Sequence, residues 1–540
     1  MFLTVASFIA FTAMVAIISY WKTRHDRMIS TEAYFLGGRS LTAWVIAGSL
    51  LLTNLSTEHL IGLNGDAFNH TIAVTAWETT AAVAMVITAL YFLPRYLKSG
   101  FVTVPQFLAD RYDQPTRIIA TCLFLFSYVL AILPVVLLFG ATGIESLFEV
   151  SANLGLSRPE ATWIIVWCVG TLGSLYAIFG GLKAVAISDT VNGVGFLIAG
   201  LLVPILALIM IGHGNLLTGL AEVYTQEHPK FDITGNEPGS FLPFTAVLTG
   251  MVLNNIFFWG TNQSIIQRAL GAKNLEHGQK GVLLAAFFKL LGPLIIVLPG
   301  VIAYHMFKDT IPPEDYLLAY PTLVKTVLPP ALTGFFAAVM VGAVLSTFNS
   351  VLNSSATLFS EGIYGILFNK KATGRQMVVS GRVCSIVLAV AAMIMAPLID
   401  TSGSLYNYLQ RINATFFGPM LAVILLGFLS KRVSALAAKI SLVGGPLLFY
   451  LVVFVFEDEV QATLKQYLGL TDDVHFLHFL AIIFVLTVAV ALIVSYFHPA
   501  EKTYEQTYTR DVDITPWRYA KPVGIGIVAA TITIYALLAQ

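Results

Sequence analysis

Two short polar runs set in apolar surroundings offer chemistry of their own. Thr53-Asn54-Leu55-Ser56-Thr57-Glu58-His59 is followed by Gly62 and Gly65, and Ala343-Val344-Leu345-Ser346-Thr347 is continued by Asn349, Ser350, Asn353, Ser354 and Ser355. An intact membrane helix gains little from the first run. Where such a helix unwinds beside a cavity, its freed carbonyls need partners, and a bound cation supplies one. In the second run, offsets of three and four bring positions 343, 346 and 347 to one helical face. Two carbonyls from the first run, with one carbonyl and two hydroxyls from the second, make an all-oxygen set suited to a hard cation. Small and hydroxyl residues also serve close helix packing and interhelical hydrogen bonds. Both readings stand on these residues alone.

Five ionisable residues, Glu58, Glu78, Asp189, Lys289 and Arg411, fall within or at the ends of apolar stretches. Each costs about 2.5 to 3.5 kcal/mol on insertion scales unless paired or hydrated. They are therefore expected to face a polar interior, as functional groups or as structural ion pairs. Arg411, next to Gln410, either pairs with the carboxylate of an acidic solute, pairs with Glu78, or snorkels to a surface. Cys122, Cys168 and Cys384 lie in apolar segments without metal-ligand spacing and read as small core hydrophobes.

The elements that must position these groups are membrane helices. The 540 residues are 57% hydrophobic and 11% charged, with a mean hydropathy of +0.80, more apolar surface than a soluble core of this length hides. Spans need about 20 apolar residues each. Fourteen stretches qualify, beginning near positions 3, 41, 72, 117, 160, 188, 241, 279, 331, 380, 403, 434, 474 and 521. The first, Phe2 to Tyr20, has no Lys or Arg before it and is long for a signal-peptide core, so it reads as a retained span. Of the thirty Lys and Arg, twenty-three fall in odd-numbered connections, among them Arg27, Arg268 and Lys502, and five in even-numbered ones. Basic residues collect on the cytoplasmic side, so both termini are expected outside. The acidic clusters of the external connections, such as Glu457-Asp458-Glu459, read as solvated surface or as a cation-attracting vestibule.

Several ordered stretches carry a resemblance along nearly the whole chain. They are Glu32-Ala33-Tyr34-Phe35-Leu36-Gly37-Gly38-Arg39-Ser40, Asn54-Leu55-Ser56-Thr57-Glu58, and Gly180-Gly181-Leu182-Lys183-Ala184-Val185 leading to Asp189. Further on come Phe258-Trp259-Gly260-Thr261-Asn262-Gln263 with Gln267-Arg268, and Ser346-Thr347 followed by Leu352-Asn353-Ser354. In these the chain resembles the solute:sodium symporter family, in particular its sodium/glucose cotransporter branch. The resemblance implies an all-α polytopic membrane protein of the leucine-transporter fold, in which two inverted five-helix repeats have one helix before them and three after. Residues 1–540 would form a single transmembrane domain. Its parts would be a leading helix at 1–30, the first repeat at 41–212, the second at 241–429 and the trailing helices at 434–540. The first span of each repeat would be broken at the midplane.

The resemblance further implies sodium between the carbonyls of Leu52, Leu55 and Ala343 and the hydroxyls of Ser346 and Thr347. Asp189 and Arg268 would belong to the sodium path or its coupling. A solute would lie beside the break, with Glu78 accepting hydroxyl protons, Lys289 donating, and His59, Asn255 and Gln410 doing either. Trp259 and Phe258 would form an aromatic floor, Phe258 also standing at the inner gate. Such convergent donors and acceptors suit a polyol, because burying each hydroxyl is tolerated only when it finds a partner. Four positions depart from the branch's galactose carrier. His59 stands for a glutamine, Phe258 for a tyrosine, Ala81 for a serine and Ile132 for an asparagine.

The implied function is sodium-coupled symport of a small polar solute, most readily a monosaccharide. The alternatives are a sensor that binds without transporting, and a symporter of a carboxylate, amino acid or sugar acid. No nucleotide-binding loop or catalytic metal constellation is present, so an enzyme is not expected. The partners expected are the lipid bilayer, the solute and sodium as coupling ion, with no cofactor and no nucleic acid. With both ends short and no targeting motif, a multi-pass protein of a bacterial inner membrane is expected.

Overall fold

The computed structural model describes residues 2–24, 30–235, 240–400, 403–500 and 504–539; Arg27 and Lys502 lie outside the described residues. It is helical throughout, with one isolated bridge between Leu41 and Ala272. Twelve helices among the described residues are long and apolar enough to cross a membrane, short of the fourteen the sequence predicts. The two remaining stretches are interrupted. One consists of α2 (Ala43–Asn54), a wide turn at Glu58–Leu63, and α3 (Asn64–Asn69). The other is α8 (Phe244–Gly260) followed, across a 45° bend, by α9 (Gln263–Leu270).

The twelve, fitted into the same numbering, are α1 (Phe2–Thr23), α4 (Ile72–Lys98), α5 (Gln114–Phe148), α6 (Arg158–Ile178), α7 (Gly180–Ile211) and α10 (Leu275–Phe307). After them come α11 (Pro330–Phe368), α12 (Gly374–Leu398), α13 (Leu405–Leu429), α14 (Ala435–Val455), α15 (Phe476–Phe497) and α16 (Ala520–Leu538). Local chemistry sets their limits. α6 opens on a capping box, Ser157 with Glu160, and α12 on Thr373 with Gln376. At the very start of α7 the chain breaks at Gly181, whose φ of 62° lies in the left-handed region that glycine enters without penalty.

α11 lies at the centre, packed against α1, α12 and the α6–α7 pair, while α2 packs against α10 and α8 against α4 and α13. α1 seats where Gly334 of α11 has no side chain; a Cβ there would lie 1.9 Å from the Thr4 carbonyl oxygen. Cys122 and Cys384 are half-buried, but Cys168 faces outward, so it is not the core residue its apolar segment predicts. In a membrane protein an apolar stretch is satisfied by lipid as well as by a core.

Two irregular segments bind helices together. At one end, Glu227, just after the helix Leu216–Gln226, accepts from Lys308 at 2.7 Å. Lys230 donates to the Phe68 carbonyl of α3 at 2.6 Å and sits 3.8 Å from the Tyr304 ring centroid. At the other end, residues 504–519 run as a strap over the ends of α4 and α10. Gln506 donates to the Arg95 carbonyl at 2.6 Å, Ser99 to the Thr507 carbonyl at 2.9 Å, and Thr509 N–H to the Lys98 carbonyl at 3.1 Å. On α10, Leu275 N–H donates to the Asp513 carbonyl at 2.9 Å, and Gln279 accepts from Trp517 N–H at 2.8 Å.

Candidate functional site

The polar run at 53–59 is where the first interrupted stretch comes apart. Ser56 N–H, which a continuous helix would send to the Leu52 carbonyl, bonds instead to the Asn54 carbonyl at 2.8 Å. His59 N–H, which would serve the Leu55 carbonyl, bonds to the Ser56 carbonyl at 3.1 Å. Leu52 and Leu55 thus lose the helical donors of their carbonyls. The break abuts α11: Ser56 Oγ donates to the Ala343 carbonyl at 3.2 Å and Thr347 Oγ1 to the Thr53 carbonyl at 2.8 Å. By donating its proton, the Thr347 hydroxyl keeps its lone pairs for another partner. Ser346 Oγ is buried with no hydrogen-bond partner among the described residues. These oxygens have the chemistry a hard cation requires.

Beside the break lies a cavity with about 630 Å³ of atom-free space, open solvent at its mouth included. His59, Glu78, Asn255, Phe258, Trp259, Lys289 and Gln410 all line it, as do Ala81 and Ile132. Lys289 and Glu78 are each 1% exposed, and Lys289 Nζ donates to Glu78 Oε2 at 2.6 Å and to Asn54 Oδ1. His59 Nε2 lies 3.3 Å from Glu78 Oε1. Lys289 Nζ also stands 5.6 Å from the Trp259 ring centroid, and the Phe258 ring meets Trp259 edge-on at 5.5 Å. Asn255 donates to Thr80 Oγ1 at 2.8 Å.

Several buried polar atoms of the cavity residues have no hydrogen-bond partner among the described residues: Glu58 Oε2, His59 Nδ1, Glu78 Oε1, Asn254 Oδ1 and Trp259 Nε1. Burying unpaired polar groups costs free energy that a ligand with matching groups would recover. On the side of α3, Ser404 donates to Asp66 Oδ2 at 3.1 Å, and the Tyr316 hydroxyl accepts from Leu405 N–H at 2.9 Å while donating to the Gly403 carbonyl at 3.2 Å.

The model of the sodium:solute symporter family matches residues 34–445. The chain is 43% identical to YidK, an uncharacterized symporter of Escherichia coli (strain K12), over all of this chain and 91% of that one. The sodium/glucose cotransporter of Vibrio parahaemolyticus is 29% identical over 82% of this chain and 83% of its own. The chain belongs to the sodium:solute symporter family. The symporter also shares the fold of a solved sodium-coupled sialic acid symporter, at a TM-score of 0.75 and 18% identity, covering 94% of this chain and 99% of that one. Its relatives are sodium-coupled transporters of the membrane, not enzymes.

Asp189 and Arg268 of the symporter lie apart from the cavity lining. Asp189 on α7 is 1% exposed and accepts from Ser49 Oγ at 2.7 Å. Arg268 on α9 is fully buried, donating to the Ser264 carbonyl at 2.5 Å and to Ser350 Oγ of α11. The sequence places it in a cytoplasmic connection; there the short helix α9, bent 45° from α8 and buried along its length, carries the guanidinium inside. Arg411 does not line the cavity either. Its Nη2 donates to Glu457 Oε2 at 2.5 Å and to the Val453 carbonyl at 2.7 Å, at a separate cleft. Neither the expected pairing with Glu78 nor contact with an acidic solute in the cavity is available to it. The clustered acid Glu457 is correspondingly an ion-pair partner and not only solvated surface.

Sequence reasoning passed over Trp77, Asn254, Tyr406 and Asn413, which also line the cavity, and the buried Asp66. Tyr406 and Asn413 lie four before and three after Gln410, a spacing that puts them on its face, and that pattern could have found them. By the same spacing, Asn254 lies four before Phe258 and Trp77 four before Ala81.

Proposed function

We propose that this chain is a sodium-coupled symporter of a monosaccharide, working by alternating access. The observation that carries the reading is the set of unpartnered polar atoms around Glu78, His59 and Trp259, in a cavity with an aromatic floor directly beside the broken helix. A hydroxyl-rich solute offers each of these atoms a partner. With Arg411 engaged by Glu457 and Lys289 by Glu78, the cavity has no spare cation for a carboxylate, which favours a sugar over a sugar acid. The sodium/glucose cotransporters among its relatives are of the same substrate class.

Sodium would sit between the carbonyls of Leu52, Leu55 and Ala343 and the hydroxyls of Ser346 and Thr347, and Asp189 and Arg268 would line its path. Phe258 would serve as the inner gate. External sodium would stabilise the outward-open state, solute would close the outer gate, and loss of sodium inside would release the solute. Each charge moved inward through 100 mV contributes about 2.3 kcal/mol, roughly a fiftyfold accumulation. We read the two interrupted stretches as spans two and seven, making fourteen. Spans two to six and seven to eleven would be inverted repeats, with residues 41–212 and 241–429 as their limits. Both termini would face outside, in a bacterial inner membrane.

The test is uptake of a panel of radiolabelled sugars into proteoliposomes, with and without an inward sodium gradient. Sodium-driven accumulation of one sugar is expected. Sodium-sensitive binding without accumulation would favour a sensor, and silence across the panel would overturn the sugar assignment.

A further inference from the structure

Away from the solute cavity, a groove with about 880 Å³ of atom-free space, open solvent included, runs between the end of α11 and the start of α12. One wall is aromatic, Phe359, Tyr364 and Phe368, the last two rings stacked at 6.3 Å. The other wall is a single stripe of α12, because Arg375, Val379 and Val383 follow one another at intervals of four. The stripe is not covered by protein: Val379 is 49% exposed, Val383 55% and Phe368 71%. Ser380, also in the groove, spends its hydroxyl on the Met377 carbonyl at 2.8 Å, and Gln376 spends its carbonyl oxygen on capping the helix at Thr373 N–H, 2.9 Å. The free charge of the groove is therefore Arg375, with Lys370 and Lys371 exposed in the turn just before it. None of the three forms an ion pair among the described residues.

Helix length places this stripe in the bilayer. The 25 residues of α12 span about 37 Å at 1.5 Å per residue, longer than a hydrocarbon core of about 30 Å. Its polar first turn, Gly374-Arg375-Gln376, takes up that surplus in the headgroup layer, with the valines one and two turns deeper. A cation at phosphate depth stands above an apolar slot at acyl-chain depth. In the orientation proposed above, the slot opens on the cytoplasmic side, where the basic residues of the connections collect and where anionic lipid is found.

We propose that this groove binds one anionic phospholipid, its phosphate held by Arg375 with Lys370 and Lys371 and an acyl chain laid between the aromatic wall and Val379 and Val383. The occupant is amphiphilic because the groove is. A soluble phosphate would leave the slot unfilled, and a zwitterionic lipid would gain little from three unpaired cations. Each basic side chain near an anionic surface is worth about fivefold in affinity.

The experiment uses the full-length protein, delipidated in neutral detergent and titrated with phosphatidylglycerol or phosphatidylcholine in mixed micelles, bound lipid being counted by native mass spectrometry. Phosphatidylglycerol is expected to bind more than tenfold tighter than phosphatidylcholine. Replacing Lys370, Lys371 and Arg375 by Glu should erase that preference, whereas Val379→Trp, which fills the slot from an exposed position, should weaken both lipids alike. Equal binding of the two lipids by the unaltered protein, or a preference that survives the charge reversal, overturns the proposal. Competition by glycerol phosphate as effective as that by phosphatidylglycerol would do so too, since it would reduce the site to a headgroup anion contact. Sugar uptake is read separately, so a failure here leaves the transport assignment standing.

Discussion

Lys289 and Glu78 hold each other in the membrane interior at 2.6 Å, and neither could stay charged there alone. Removing one partner of such a pair costs about 3 to 5 kcal/mol because it strands the other charge. Lys289→Met should therefore lower the thermal stability of the purified protein by several degrees, and Glu78→Gln added to it should restore most of the loss. If the pair also binds solute, uptake should stay abolished in the double variant, which separates the two roles. Ser346→Ala combined with Thr347→Ala removes two of the five oxygens of the proposed cage. Uptake in this variant should no longer rise with sodium, and unchanged sodium-driven uptake would rule out the cage. The residues that were legible in the sequence are those whose types are costly in a membrane: Glu58, Glu78, Lys289 and the polar run around them. Arg411 was misleading because its neighbour Gln410 lines the cavity, yet adjacent helical residues point about 100° apart. Tyr406 and Trp77 were missed because an aromatic ring in an apolar helix looks the same in a wall as in a core.

The interrupted helix could be anticipated from the six polar residues between positions 53 and 59, whose side chains compete with the helical backbone at the very place where it opens. The second interruption, at Thr261 and Asn262, had only a resemblance to point to it. It is held by contacts distant in sequence: Tyr128 donates to Asn262 Oδ1 at 2.7 Å and accepts from Ser264 N–H at 3.0 Å. The leading helix is a separate case, since nothing in its composition tells where it docks. Its seat on α11 depends on Gly334, where any side chain would strike the Thr4 backbone. Gly334→Leu should displace α1 and lower the melting temperature, while the same substitution at Gly526, which has open space around it, should be nearly neutral. In the segment after Leu216–Gln226, burial alone would raise the Glu227 carboxyl, but the hydrogen bonds from Lys308 and His305 outweigh it and leave it below the usual carboxylate range. Such a depressed acid stabilises the fold above its unfolded value, near 4.3, and ceases to do so as pH falls through the folded one. Thermal melting should accordingly drop at pH below about 4.3, less steeply in Glu227→Gln.

At the scale of the molecule, hydropathy revealed a bundle of membrane helices, because each span must be apolar over its length whatever it packs against. The arrangement of those spans was not in their composition; it came with the family, and the shared fold of a relative at 18% identity shows how little of it depends on particular side chains. What no pattern disclosed is the strap at 504–519, an irregular segment whose anchors are mostly backbone groups. It fastens the end of α4 to the start of α10, and Gln279 of α10 reaches the Ala89 carbonyl of α4 at 3.1 Å besides. In the proposed repeats these are the two counterpart second helices, one bearing Glu78 and the other Lys289. Buckled at one end and bridged by salt in the membrane interior, they should travel as a single body while the remaining helices rock about them. The ion pair in the solute cavity is then a fixed fitting, carried intact from one side of the membrane to the other, and not a latch that opens. A disulfide introduced between Ser99→Cys and Thr507→Cys, in a protein freed of its native cysteines, should leave sodium-driven uptake unimpaired, and a block of uptake that reducing agent relieves would show that the strap leaves the end of α4 during the cycle.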